Sequence, residues 1–245
     1  MSKSAVVIIP TTGEDTLIDA INSVIYQTYD AKALVVVDGI HYHQRTAELL
    51  YPFMDIDANI EVVYLRSNVG ANGFYGHRIY AAFSHLVNED YVFFLDQDNW
   101  FEPDHVLECV QACERYNLPW SYSLRNICDQ AGNFICEDNC ESLGKFKGWT
   151  GNYHIDTNCY CLRREVAVAV SSAWHGGYGQ DRVFYNTLNQ HFPNYQYTGN
   201  HSVNYRLGGN PGSVQKEFFL HGNVVMTELY KNNDQYNGKL PWRKP

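Results

Sequence analysis

Tyr91-Val-Phe-Phe-Leu-Asp-Gln-Asp98 decides the fold: five apolar residues run straight into three polar ones, two of them carboxylates. A short, continuous apolar run rich in aromatic and β-branched residues suits a strand covered on both faces, and such strands belong to parallel sheets flanked by helices. Toward the N-terminus the same unit recurs. Ala5 to Ile9 (AVVII) closes at Pro10-Thr11-Thr12-Gly13, Leu34 to Val37 (LVVV) at Asp38-Gly39, and Ile60 to Leu65 (IEVVYL) at Arg66 and Asn68. Between them lie helical patterns: Leu17, Ala20, Ile21, Val24 and Ile25, with Asp15 in a capping position, and a second stretch from Phe74 to Val87. The alternation predicts an α/β fold of three layers, α/β/α, around a mostly parallel central sheet.

Past Asp98 the rhythm changes. Pro103 opens a helix carrying Val106, Leu107, Val110 and Cys113, as proline does in a first turn. Trp120 to Leu124 and Phe134 to Cys136 flank a turn at Gln130-Ala131-Gly132-Asn133, which predicts a hairpin. Helices are expected near Arg164 to Trp174, Asp181 to His191 and Ser213 to Lys231, strands at Tyr195 to Thr198 and Val203 to Leu207, and a polar strap or frayed end from Asn232 to Pro245. With no repeat or linker, the simplest organisation is one domain over 1–245 with two functional halves, residues 1–100 and 101–231, and a tail over 232–245.

Composition narrows the function. A formal net charge of −9 excludes a general nucleic-acid binder, which needs clustered Lys and Arg. Seven cysteines without a Cys-x2-Cys pair indicate neither a zinc finger nor a disulfide scaffold; they read as idle thiols, with a zinc site of Cys136, Cys140 and a histidine as the alternative. The apolar run before Pro10 is too short for a signal peptide or a membrane span, so the expected location is cytoplasmic, with no transmembrane segment.

In an open parallel sheet ligands bind beyond the carboxyl ends of the strands, where this chain places Pro10, Thr11, Asp38, Asn68, Asp96 and Asp98. Carboxylates at two such ends suit a ribose and a hydrated divalent cation, Mn2+ or Mg2+, shared with substrate phosphates. An Asp-x-Asp triplet alone means little, since 15 Asp in this length give about one by chance. Two are present. Asp55-Ile56-Asp57 has no strand before it and reads as a turn, whereas Asp96-Gln97-Asp98 stands on a rigid element at the mouth of the sheet.

The ordered set Val-Ile-Ile-Pro-Thr (7–11), Val-Val-Asp-Gly (36–39), Asn68-Val69-Gly70 and Phe-Leu-Asp-Gln-Asp (94–98) resembles the inverting glycosyltransferases of family two, which have the GT-A fold. The resemblance implies transfer of a sugar from a nucleotide-diphosphate donor, a UDP-sugar first among them, to a hydroxyl of a glycan, lipid-linked or protein acceptor. It puts Pro10, Thr11 and Asp38 around base and ribose, Asp96 on ribose or metal, and Asp98 on the metal. It departs from the family in the single aspartate of Val37-Asp38-Gly39, in Thr12-Gly13-Glu14, and in His77-Arg78, where Arg78 is still placed to neutralise diphosphate.

Inverting transfer needs a base for the acceptor proton. Gly176-Gly177-Tyr178-Gly179-Gln180-Asp181-Arg182 resembles the family's acidic pair at a helix start, with Gln180 in place of the first acid and Asp181 as the base. Trp149 to Asn158 (WTGNYHIDTN) offers Trp149, Tyr153, His154 and Asp156 as an acceptor platform of ring faces and a carboxylate. His201, in a loop after a strand, and His221, in a helix, are candidates to complete a metal shell; His41 and His43 fall in a loop without ligand spacing. The competing functions are sugar nucleotidyl transfer, disfavoured because Thr11 to Asp15 has no Lys or Arg to grip a triphosphate, and a non-catalytic carbohydrate-binding module, which leaves Asp96, Asp98 and Asp181 without a shared task.

Overall fold

A computed structural model describes residues 3–53, 59–208, 214–231, 233, 236 and 239–243. The Asp55-Ile56-Asp57 triplet lies outside these residues. The first half is a parallel sheet with crossover helices: β1 (Ala5–Thr11), α1 (Leu17–Ile25), β2 (Ala31–Asp38), α2 (His43–Leu50), β3 (Ile60–Leu65), α3 (His77–Phe83) and β4 (Tyr91–Phe94). β1 and β4 are buried along their whole length, as their unbroken apolar runs require. Asp15 is no cap: its carboxylate pairs with Arg45, and Thr16 precedes α1 without a side-chain cap bond. His43 begins α2 instead of sitting in a loop, because Thr46, Leu49 and Leu50 bury one face at helical spacing.

The second half comprises β5 (Trp100–Phe101), α4 (His105–Tyr116), β6 (Trp120–Cys128), β7 (Phe134–Glu137), β8 (Tyr160–Arg163), α5 (Arg164–Val170), α6 (Gln180–His191), β9 (Tyr195–Arg206) and α7 (Lys216–Lys231). The expected hairpin is β6 with β7, and the two strands expected after Tyr195 are one strand, β9. His201 therefore lies within a strand.

The main sheet runs β3-β2-β1-β4-β8-β6-β9-β5, with β7 paired to β6. It is parallel through β3-β2-β1-β4 and again between β6 and β9, but β8 is antiparallel to both β4 and β6, and β5 is antiparallel to β9. The mostly parallel sheet expected from the sequence thus holds for the first half and gives way to a mixed one in the second. The physical cause is the connection: a parallel neighbour for β4 needs a helical crossover, and the chain instead returns to the sheet from the segment after β7. This reversal has a consequence for the site. Because β8 starts where β4 ends, with Cys161 paired to Phe93, the residues just before β8 arrive beside Asp96.

One core runs through both halves and reaches the tail, where Trp242 is wholly buried and donates from its indole N–H to Asn139 Oδ1 at 2.9 Å. The strap expected at the C-terminus is a pinned one. The cysteines are free, and all but Cys136 are buried; among the described residues no group of three metal-ligating side chains forms around Cys136 and Cys140, so the zinc alternative has no third ligand there. No helix of the described residues is long and apolar enough to cross a membrane.

Candidate active site

The strand ends of the first half converge as the sequence implies, though several of their side chains are already engaged. Thr11 is buried and its hydroxyl donates to Gln97 Oε1 at 2.6 Å, while the Thr12 N–H donates to the same oxygen at 3.0 Å. Gln97, the middle residue of the triplet, therefore ties the end of β1 to the end of β4. Asp38 accepts from the Val69 and Gly70 main-chain N–H groups at 2.6 and 2.8 Å. Gly70 is needed for that approach, since a Cβ there would stand 2.6 Å from Asp38 Oδ2 and 2.2 Å from the Tyr75 carbonyl oxygen. Asp38 thereby fixes the loop after β3, where Asn68 stays exposed. Pro10 packs against Gly76 at the base of that loop. Arg78 lies over the Phe74 ring, its guanidinium carbon 3.3 Å from the centroid, and its Nε makes no hydrogen bond among the described residues.

The paired carboxylates differ from one another. Asp96 accepts from the Tyr80 hydroxyl at 2.7 Å and from the Asn158 amide at 3.2 Å, and its main-chain N–H donates to Asn158 Oδ1 at 2.6 Å. Burial and the nearby Asp156 still push its carboxyl upward. Asp98 is pushed up to about 7 by burial and by Asp96. Arg206 gives it only partial relief, because that guanidinium donates to the Asp98 carbonyl and spends its ion pair on Asp19. Neither His201 nor His221 joins Asp96 and Asp98 in a metal-binding group among the described residues. His201 is held down to about 4 by burial and lies 3.7 Å from Glu137, and His221 packs edge-on against Trp149.

Across the cleft, Asp181 sits in the first turn of α6, behind the loop Gly176 to Gly179. That loop touches the loop before α3 and the start of α3 directly: His77 Nδ1 lies 2.9 Å from the Gly176 carbonyl oxygen, and a Cβ on Gly177 would meet the Gly73 carbonyl oxygen at 2.9 Å. The two glycine-bearing loops close on each other and fix where Asp181 stands relative to the strand ends. His154 Nε2 donates to Asp181 Oδ2 at 2.6 Å. Burial opposes the Asp181 charge, but His154 and the Arg182 N–H hold the carboxyl down at about 2.

The residues expected to form an acceptor platform differ in exposure. Trp149 is half-buried, packed on Phe218 with its indole against Gly222 of α7, and His154 is buried on Asp181. Tyr153 is the ring of that segment that stays exposed, joined at the mouth of α6 by Tyr178 at 78% exposure. Asp156 is buried on Arg125 Nη1 at 2.5 Å, in a cluster where the same guanidinium also pairs with Asp138 at 2.9 Å and Glu141 at 2.6 Å. Its other oxygen accepts from Asn158 Nδ2 at 2.7 Å.

Asn158 is the residue the sequence reading missed. Wholly buried at the start of β8, it bridges Asp96 of one half and Asp156 of the other. Its only signal in the sequence was membership of the polar run 149–158, and Tyr80, the other partner of Asp96, had only a helical position to recommend it.

Comparison with known proteins bears on this arrangement. S. aureus TarS 1–349 superposes with a TM-score of 0.66 in its UDP-GlcNAc complex and 0.62 in its UDP complex, at 13% identity in each, with 95% of this chain covered and 68% and 67% of those chains. At that identity the likeness establishes the GT-A fold. An uncharacterized protein of Haemophilus influenzae is 30% identical over 104 residues, covering 38% of this chain and 70% of that protein. The model of glycosyl transferase family 2 matches residues 6–168, which takes in every strand from β1 to β8, the aspartate triplet and the Asn158 bridge, and the chain belongs to that family.

Proposed function

We propose that the chain transfers a sugar, with inversion, from a nucleoside diphosphate donor, a UDP-sugar in the first instance, to an acceptor hydroxyl, with Mn2+ or Mg2+ at Asp98 and Asp96. The UDP and UDP-GlcNAc named for the TarS complexes support the choice of donor. The observation that carries the metal reading is Asp98, a carboxyl pushed up to about 7 by burial and by Asp96, with no cation spent on it among the described side chains. Such a group suits a hard divalent ion, and two carboxylates leave the rest of the ligand shell to phosphate oxygens and water, as Mg2+ commonly has it. The ion, when bound, supplies positive charge against the departing diphosphate.

The remaining work falls to this chain's residues. Asp38 and Gln97 hold the loops at the strand ends where the donor would sit, and Arg78 stands over Phe74 as the cation of that loop, to offset diphosphate charge. Asp181 takes the acceptor proton as the acceptor oxygen bonds to the anomeric carbon; the bond from that carbon to the diphosphate breaks, and its electron pair leaves with the diphosphate. Tyr153 and Tyr178 are the exposed rings placed to receive the acceptor.

The test is calorimetric titration with UDP, with Mn2+ and with chelator, followed by transfer assays over a panel of UDP-sugars. Metal-dependent UDP binding that Asp98→Asn abolishes supports the proposal. UDP binding unaffected by chelator and by that substitution sinks the metal assignment, and no nucleotide binding at all sinks the transferase.

A further inference from the structure

His154 is 4% exposed, and its Nδ1 makes no hydrogen bond among the described residues, so the ring's whole polar capacity goes to Asp181. Burying an imidazole this way is costly unless the partner repays it. Asp181 retains 25% exposure of its side chain against 5% for His154, so the carboxylate is the end of the pair open to solvent and the imidazole stands behind it. We propose that His154 is a positioning residue for Asp181: from behind, it fixes the direction of the carboxylate and keeps that carboxylate ionised for the acceptor. This rests on Asp181 being the base.

The same arrangement recurs wherever an imidazole or carboxylate orients the group that moves the proton, with order reversed here because the carboxylate is in front. The charged groups facing the ring are Asp181 from α6, Glu141 from the segment after β7, and Arg125 from β6; Arg182, next to Asp181 in α6, pairs with Glu141 at 3.5 Å. The two acids favour an imidazolium and Arg125 opposes it, and the net direction for His154 is upward despite burial. A carboxylate that loses this partner keeps its burial and rises.

Two substitutions separate direction from charge. Gln in place of His154 can present an amide N–H where Nε2 was, without the charge; Leu keeps the volume and supplies neither. With Mn2+ and donor saturating, His154→Leu is expected to lower kcat about 100-fold while leaving the donor KM unchanged. His154→Gln is expected to stay within about threefold of wild type at pH 8, and its turnover relative to wild type to fall a further tenfold or so by pH 5, as Asp181 takes up a proton that the wild type refuses. Ratios to wild type cancel ionisations common to both enzymes.

A second readout needs no turnover. In 15N-histidine NMR spectra, His154 should titrate above the free imidazole range in wild type and fall in Asp181→Asn, where burial and Arg125 are opposed by Glu141 alone. A merely structural histidine would give a pH-independent ratio. If Asp181→Asn loses turnover while the His154 resonance is unmoved and the His154→Gln ratio is flat with pH, the proposal is overturned and the base stands. If Asp181→Asn turns over like wild type, the base assignment falls and takes this proposal with it. Should His154→Leu fail to fold, the Gln variant and the NMR titration decide.

Discussion

The two sides of the cleft handle negative charge in opposite ways. On the strand side, Asp98 stands next to Asp96 with no cation of its own, and burial holds its carboxyl up at about 7. On the helix side, Asp181 is as enclosed, yet His154 holds it down at about 2. A carboxylate that the fold has neutralised needs nothing from solution. One that the fold has left uncompensated suits an external cation, and this difference between the corners is why the proposed mechanism gives the metal to one and proton transfer to the other.

The most severe way to test that division is to remove each acid in turn. Asp181→Asn should lower kcat about 1,000-fold with UDP affinity intact, measured by transfer assay and calorimetry. An equal loss in UDP affinity would mean that the two corners are not separate. Asp98→Asn should do the reverse, weakening UDP binding in Mn2+ by about 100-fold and leaving the weaker, metal-free binding alone.

Stability should respond with opposite signs. Asp98 has a folded value raised above its unfolded one of about 3.9, so folding loses stability as pH rises from about 4 to 7 and the cost is constant above that. Without metal, Asp98→Asn should therefore gain about 4 kcal/mol at pH 7.5 and little near pH 4, by urea denaturation. The folded value of Asp181 is depressed, so its stabilisation is full above about pH 4 and lost toward pH 2. Asp181→Asn should lose about 2 kcal/mol at pH 7.5, a deficit that narrows only below pH 4. Shifts of the same sign for both variants would erase the contrast.

The smallest effect falls on the link between the corners. Asn158→Ala removes the bridge from Asp96 to Asp156 and should weaken Mn2+ binding about tenfold, read by electron paramagnetic resonance of the free ion, with a matching fall in kcat/KM. An unchanged Mn2+ affinity would show that Asp96 needs no help from the second half.

How legible was this from the chain alone? Val7 to Thr11, Val36 to Gly39 and Phe94 to Asp98 announced themselves because each is a buried strand followed by residues no strand wants, and strand-end chemistry is local. Asp181 was legible for a similar reason, as an acid in the first turn after a glycine-rich loop. The surroundings of Trp149 and His154 were not legible, because they are set by α7 and α6, tens of residues away. Nothing in the sequence around Asn158 indicates Asp96, 62 residues earlier.

Sequence by itself determined the parallel half of the sheet, the family, and the three acids at its mouth, because hydrophobic periodicity and the polar residues that interrupt it are properties of neighbours along the chain. Tertiary structure alone decided that β8 runs backward, and with it everything that follows: an antiparallel strand delivers its beginning to the place where a parallel one would deliver its end, so Asn158 and the Asp156 cluster meet Asp96. The partner of Asp181 was settled the same way, since which imidazole stands behind a carboxylate depends on packing between segments and not on spacing within one.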